Sequence, residues 1–236
     1  MCGRYTLIKK DRIVEVMQNV TIKVELGAEV ARWNIAPAQG VLIITNRAGP
    51  TLEKAHWGLI PHWAKDKAIG NRMINARAET LAEKPAFREA LAQRRCAIPA
   101  DGFYEWRKNA DGTKTPMYLH LKTRDVFAFA GLWDTWRDPE GGAGGSGGSG
   151  SELTSCTIIT TTPNRLVKPI HDRMPAMLVL EDIGRWLAGG LEEAEALLRP
   201  FDAEAMAAEE VGRKVNSPRN EGPELLEPER ATGGLF

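Results

Sequence analysis

Cys2 is the residue with the most chemistry to offer. A small residue after the initiator methionine lets that methionine be removed, and Cys2 then carries a free α-amine beside its thiol. The two groups titrate near neutrality, the amine at about 7.7–8.0 and the thiol at about 8.5. Together they form a 1,2-aminothiol: the amine condenses with an aldehyde to an imine, and the sulfur then closes a thiazolidine ring. The same pair serves a second chemistry, in which the amine acts as base for the thiol in amide hydrolysis. An incidental cysteine accounts for the position equally well, so partners must decide.

Several residues are suited to that role. Arg4 lies two positions on, on the same side of an extended segment as Cys2, where it lowers a thiol pKa or holds an anion. In MINARAET, Asn75 offers an amide for orienting an amine or a sugar oxygen, and Arg77 suits a phosphate; on spacing alone a turn asparagine and a solvated arginine are the simpler reading. Glu105, in DGFYEWRK, sits among Phe103, Tyr104 and Trp106, surroundings that raise a carboxyl pKa toward the working range of a general acid or base. His171 lies between Pro169 and Pro175, with Asp172 and Arg173 beside it, and is either a general acid or a packed structural histidine. His56, His62 and His120 read as packing residues. No spacing of His, Cys and carboxylate gives a zinc site. Trp63 follows Pro61 and precedes the basic AKDKAIGNR; like most tryptophans it reads as a core residue, or else as a ring that stacks on an unpaired base beside phosphate-binding cations.

These residues need elements to hold them. Short β-branched and aromatic runs at 41–45, 96–99, 103–106, 117–121, 126–132 and 156–162 predict strands of a mainly antiparallel sheet. Helical spacing falls at 13–18, 80–94, 181–187 and 191–198, the second behind a Thr80 cap. Strands in the middle with helices at intervals predict an α+β domain over 1–236. Residues 141–151, GGAGGSGGSGS, are expected to form a flexible loop inside that domain, spanning about 17–20 Å and carrying no chemistry.

Composition narrows the function classes. The 31 basic and 31 acidic residues cancel, which rules out a crude polycation. Residues 60–115 nevertheless hold 11 basic against 7 acidic side chains, and 192–230 hold 5 against 11, so a basic face for an anion is compatible with an acidic tail. The absence of GxxxxGK[ST] and of GxGxxG after a strand argues against a nucleotide enzyme. No run of about 18 apolar residues exists and the N-terminus lacks a signal-peptide core, so the expectation is a chain that neither spans a membrane nor is exported. Three cysteines without C-x-x-C point to a reducing, cytoplasmic setting.

Taken together, MCGRY, WNIAPAQ, HWGLIPHWA, MINARAET, IPADGFYEW, CTIITTTPN, IHDRMPAML and VNSPRNEGPELLEP resemble the SOS response-associated peptidase (SRAP) family, in order, from residue 1 to about 228. The resemblance implies recognition of abasic sites in single-stranded DNA and a thiazolidine crosslink to the ring-opened sugar, as part of the DNA damage response. It implies Cys2 as the crosslinking residue, Asn75 as the group that positions it, and Glu105 and His171 as the acid/base pair. Arg4, Arg77 and Arg173 would hold phosphates, Pro37 and Trp63 would press on bases beside the lesion, and Thr160 would touch a phosphate. It further implies a compact domain with a curved or barrel-like sheet, peptidase action on the chain's own N-terminus, no metal or cofactor, a monomer, and association with the nucleoid when on DNA. The insertion at 141–151 departs from the family pattern but lies away from every matched motif. Two other readings stay open: an N-terminal cysteine amidohydrolase of the glutaminase kind, and a non-covalent single-strand binder.

Overall fold

The computed structural model describes residues 2–9, 21–22, 31–47, 49–139 and 152–229. The predicted helix at 13–18 and the predicted loop at 141–151 lie outside the described residues. The described strands begin with β1 (Tyr5–Leu7), β2 (Thr21–Ile22), β3 (Arg32–Ile35), β4 (Gly40–Thr45), β5 (Thr51–Trp57) and β6 (Asn75–Arg77). They continue with β7 (Arg95–Ala100), β8 (Gly102–Lys108), β9 (Lys114–Leu121), β10 (Phe127–Arg137) and β11 (Glu152–Thr161). The short β12 (Met174–Pro175), β13 (Met177–Leu178) and β14 (Met206–Glu210) complete the set. Helices α1 (Pro85–Gln93), α2 (Ile183–Ala188) and α3 (Leu191–Glu195) are accompanied by several single 3-10 turns.

Five strands close on themselves. β5, β4, β7, β10 and β11 pair antiparallel in that order, and β11 returns to β5 through the parallel pairs Ser155↔His56 and Cys156↔Trp57. Closure removes the free edges that an open sheet would expose. A second, open antiparallel sheet has the order β14-β9-β8-β1-β3. The expected α+β architecture with a curved, barrel-like, mainly antiparallel sheet is therefore what the chain adopts.

All six strongly apolar runs became strands: four lie in the barrel, whose strands bury both faces, and those at 103–106 and 117–121 form β8 and β9 of the second sheet. All six residues of β7 are buried, and β10 is buried along nearly its whole length. Such strands read as continuous apolar runs instead of alternating ones. β1, β3, β5 and β14 were not expected; they are short, or interrupted by charge as in TLEKAHW and MAAEE. An aromatic cluster ties the two sheets together: the Tyr5 ring meets Trp57 at 5.3 Å and Phe129 at 5.5 Å, and Phe103 meets Phe129 at 6.1 Å, all edge-on.

The chain passes from barrel to second sheet at Asp101. Its buried carboxylate accepts the Thr6 hydroxyl at 2.5 Å and the backbone N–H groups of Ile8 and Lys9 at 2.5 and 2.8 Å. Those bonds hold the end of β1 against the corner, and with it the N-terminal segment.

The helix expected to start at Thr80 starts five residues later. Pro85 occupies its first turn, Lys84 before it is extended at φ −80°, ψ 125°, and Thr80 ends a separate 3-10 turn, Ala78–Thr80. Proline suits the first helical position but disfavours helical backbone in the residue before it. Phe87, Ala90 and Leu91 form the buried face of α1. The helices expected at 181–187 and 191–198 appear as Ile183–Ala188 and Leu191–Glu195, separated by Gly189 and Gly190 in extended conformations.

Between β5 and β6 the chain makes an excursion over residues 58–74. Its neck is narrow: Gly58 N–H donates to Cys156 O at 2.9 Å and Leu59 N–H to Met73 O at 3.1 Å. Gly58 has φ +140°, and a Cβ there would lie 2.7 Å from the Gly70 carbonyl oxygen. Gly58→Ala is expected to cost about 2–3 kcal/mol through strain and overlap. Urea unfolding checks this; a midpoint equal to that of the unaltered protein would mean the neck is loose.

Candidate active site

Cys2 is fully buried, with 0% of its surface exposed. It precedes β1, whose pairing with β8 sets Tyr5 opposite Phe103 and lets Tyr104 N–H donate to Arg4 O at 2.9 Å. This register carries the first residues of the chain alongside Glu105. On the other side, Asn75 Nδ2 donates to the Cys2 carbonyl at 2.8 Å. Asn75 begins β6, which pairs parallel with β11 at Ile158↔Asn75. The buried Asn75 Oδ1 has no hydrogen-bond partner among the described residues, so it offers an acceptor next to Cys2.

Glu105 is 2% exposed, and burial pushes its carboxyl up from the usual range. His171 pulls it partly back, while Asp172 adds to the rise. Burial likewise drives the Cys2 thiol far above its ordinary value, reinforced by the negative charge of Glu105. Of the sequence-predicted set, Asn75 is hydrogen-bonded to Cys2, Glu105 acts electrostatically on the Cys2 thiol, and His171 acts electrostatically on Glu105.

His171 lies on a loop that follows a turn at 165–170, its N–H donating to Val167 O at 2.9 Å. Its Nδ1 lies 3.1 Å from the Arg173 N–H and 2.9 Å from Asp172 Oδ1. A lone pair on Nδ1 accepts the former; a proton there is donated to the latter. The loop therefore satisfies the ring in either protonation state, which suits a group that exchanges protons.

The arginines differ in what they already hold. Arg173 makes a two-pronged contact with Glu79 at 2.7 and 2.9 Å and donates to Thr160 O at 2.6 Å, leaving its side chain 12% exposed. Hydrogen bonding to Arg173 holds the Glu79 carboxyl below its usual range. Arg4 Nη1 donates to Asn34 Oδ1 and to Val215 O, both at 2.7 Å, and its guanidinium lies 5.8 Å from the Trp106 ring centre. Arg77 on β6 is exposed. Thr160 is buried, its hydroxyl donating to Ala76 O at 3.4 Å, so it supports Arg173 from within the strand. Trp63 stands 52% exposed on the 58–74 excursion. Pro37 is half-buried in a turn fastened to the end of β5 by Ala38 N–H to Trp57 O and Trp57 N–H to Gln39 O, at 2.9 and 3.0 Å.

Sequence reasoning missed several residues that hold this arrangement. Trp57 Nε1 donates to Ile74 O at 2.9 Å, fixing the residue before Asn75. Buried Asn34 donates to the carbonyls of Ser217 and Asn220, both at 2.9 Å, while accepting from Arg4. It joins WNIAPAQ to VNSPRN, a contact that neither segment announces in the sequence. Glu79, two residues beyond Arg77, has its partner 94 residues away. No metal-holding cluster of His, Cys, Asp and Glu occurs among the described residues, and no helix there is long and apolar enough to cross a membrane.

Known proteins share this chain's sequence and architecture. Abasic site processing protein YoqW of Bacillus subtilis is 47% identical over 232 residues, covering 96% of this chain and 99% of YoqW. Abasic site processing protein HMCES of Gallus gallus is 32% identical over 198 residues, covering 73% of this chain and 56% of that protein. A crystal structure of a protein from Bacteroides thetaiotaomicron superposes with a TM-score of 0.82 at 30% identity, covering 96% of this chain and 99% of that one. The pattern of the SOS response associated peptidase (SRAP) family matches residues 1–218, and the chain belongs to that family.

Proposed function

We propose that this protein processes abasic sites in single-stranded DNA by joining Cys2 covalently to the ring-opened sugar. The observation that carries the reading is the enclosed Cys2 thiol, its residue held through the carbonyl by Asn75 and its thiol raised by burial and by the charge of the buried Glu105 carboxyl. The named activity of the relatives agrees with it.

The chemistry balances with the residues at hand. Hydrolysis of the bond between Met1 and Cys2 consumes one water and frees the Cys2 amine. The amine adds to the sugar aldehyde, and the resulting carbinolamine loses its hydroxyl as water to give an imine. Glu105, which holds its proton more tightly than a solvated carboxyl, supplies the proton for that departure. The sulfur then adds to the carbon of this imine, whose nitrogen still carries its own proton, closing the ring, and the thiol proton passes to Glu105, restoring the one it gave. The crosslink equals protein plus DNA minus one water, and no metal or cofactor takes part. Burial keeps the thiol protonated, so it reacts only once an electrophilic imine carbon lies beside it. Asn75 Oδ1 is suited to accept from the amine, and His171 to hold the opened sugar hydroxyl or give it a proton.

The DNA path follows from what the cations already hold. Exposed Arg77 is suited to direct phosphate contact, while Arg4 and Arg173, each tied to protein partners, supply positive potential and a fixed wall. Trp63 and Pro37 are suited to pack against bases beside the lesion. The protein acts as a monomer in the cytoplasm, at the nucleoid when on DNA.

Cys2→Ala is expected to abolish the covalent product while salt-sensitive DNA binding persists, because the phosphate contacts come from arginines. Intact mass spectrometry after incubation with a single-stranded oligonucleotide carrying one abasic site checks this; an undiminished adduct would remove Cys2 from the mechanism. Glu105→Gln is expected to slow crosslink formation or reversal by about a hundredfold.

The same substitution is expected to stabilise the fold at neutral pH. Below the unfolded carboxyl value both states of Glu105 are protonated. As pH rises, the unfolded chain loses this proton first, so the unaltered protein loses stability that a glutamine retains. Urea midpoints should therefore diverge in favour of the Glu105→Gln variant at pH 7.5 and converge at pH 4. A gap independent of pH would contradict the raised carboxyl.

A further inference from the structure

His62 lies outside the site described above, at the tip of the 58–74 excursion. Its Nδ1 is 3.0 Å from Asp134 Oδ2, and the same oxygen accepts the His62 backbone N–H at 2.9 Å. Asp134 is buried on β10, and its other oxygen accepts the Thr135 N–H at 2.9 Å and lies 3.3 Å from Arg94 Nε. Arg94 is bonded in turn to Glu89 of α1 at 2.8 Å. A buried carboxylate with this many donors is fixed in place.

Two contacts from one residue to one oxygen fix the imidazole as well. Nδ1 faces inward, so Nε2, on the opposite edge of the ring, faces away from Asp134, and 48% of the side chain is exposed. The tip itself is held: Ala64 N–H donates to Pro61 O at 2.8 Å, and Trp136 Nε1 donates to Ala64 O at 2.7 Å. The imidazole and the exposed Trp63 ring are therefore consecutive side chains on an anchored turn. The charged groups around His62 are Asp134 and Arg94 beneath it, Glu89 on α1, and exposed Lys65, Asp66 and Lys67 on its own loop. Arg94 already offsets Asp134, so an anion at Nε2 does not face an uncompensated carboxylate.

We propose that His62 is a phosphate-binding residue, its Nε2–H donating to a backbone phosphate of the single strand beside the base that stacks on Trp63. An aromatic platform next to a cation is the combination by which single strands are held without regard to sequence. Asp134 acts as the positioning residue, orienting the ring through Nδ1 as a carboxylate orients a functional histidine. This inference rests on the single-stranded DNA reading above.

The test is reversible binding of an undamaged single-stranded oligonucleotide, which carries no aldehyde, by the full chain as a function of salt. His62→Gln should weaken binding about tenfold. It should also lower the slope of log affinity against log salt by about 0.7, the loss of one phosphate contact on a single strand. His62→Lys should keep the larger slope. Unaltered affinity and slope for His62→Gln would overturn the phosphate contact while leaving the functional reading intact. An unaltered protein that binds no single strand at any salt would overturn both.

Discussion

The short parallel pairing of β5 with β11 is the constraint on which the site depends. Five strands can close into a barrel only if first and last meet, and here they meet over two residue pairs, Ser155↔His56 and Cys156↔Trp57. Beyond Trp57 the chain has to leave the barrel, because β11 continues without it. It returns as β6 on the same strand at Ile158–Thr160, so Asn75 comes to rest on β11 just past the point of closure. The excursion between these two pairings carries His62 and Trp63 outward, while its ends, pinned by Gly58, Leu59 and Trp57 Nε1, set Asn75 against Cys2. One closure therefore places both the reactive end of the site and its exposed aromatic tip.

Burial at the site works against stability and in favour of chemistry. A carboxyl at Glu105 and a thiol at Cys2 are both poor core residues, since each loses hydration when charged. Their enclosure raises both groups, which leaves Cys2 protected as a thiol and Glu105 able to carry a proton at higher pH than a surface carboxyl. The surrounding aromatic contacts among Tyr5, Trp57, Phe103 and Phe129 supply the packing that tolerates these groups. Arginines are treated differently. Arg4 and Arg173 are committed to protein acceptors, one tying the N-terminal segment to the 213–220 turn and the other tying the His171 loop to Glu79 and β11. Their charge remains in the site, but their geometry is set before any DNA arrives.

Much of this was legible along the chain. Buried strands announce themselves as apolar runs in the barrel and in the second sheet alike, so all six expected strands were found. Helix limits were less legible, because Pro85 and the Gly189–Gly190 pair act through backbone geometry that periodicity does not register. Strands that mix charge into a half-buried face, such as β5 and β14, carry no distinctive run.

Residue types alone determined which chemistry is available: an aminothiol at Cys2, a carboxyl among aromatics at Glu105, an imidazole on a proline-bounded loop at His171, and a strand-rich fold to hold them. Only the tertiary structure decided which groups meet. Asn75 reaches Cys2 across 73 positions, Arg173 reaches Glu79 across 94, Asn34 reaches Ser217 across 183, and His62 reaches Asp134 across 72. Each depends on barrel closure and strand register, in which a one-residue slip turns a side chain to the opposite face. Such long-range pairings leave no local pattern, because hydrogen-bonding partners brought together by packing need share no spacing in the chain.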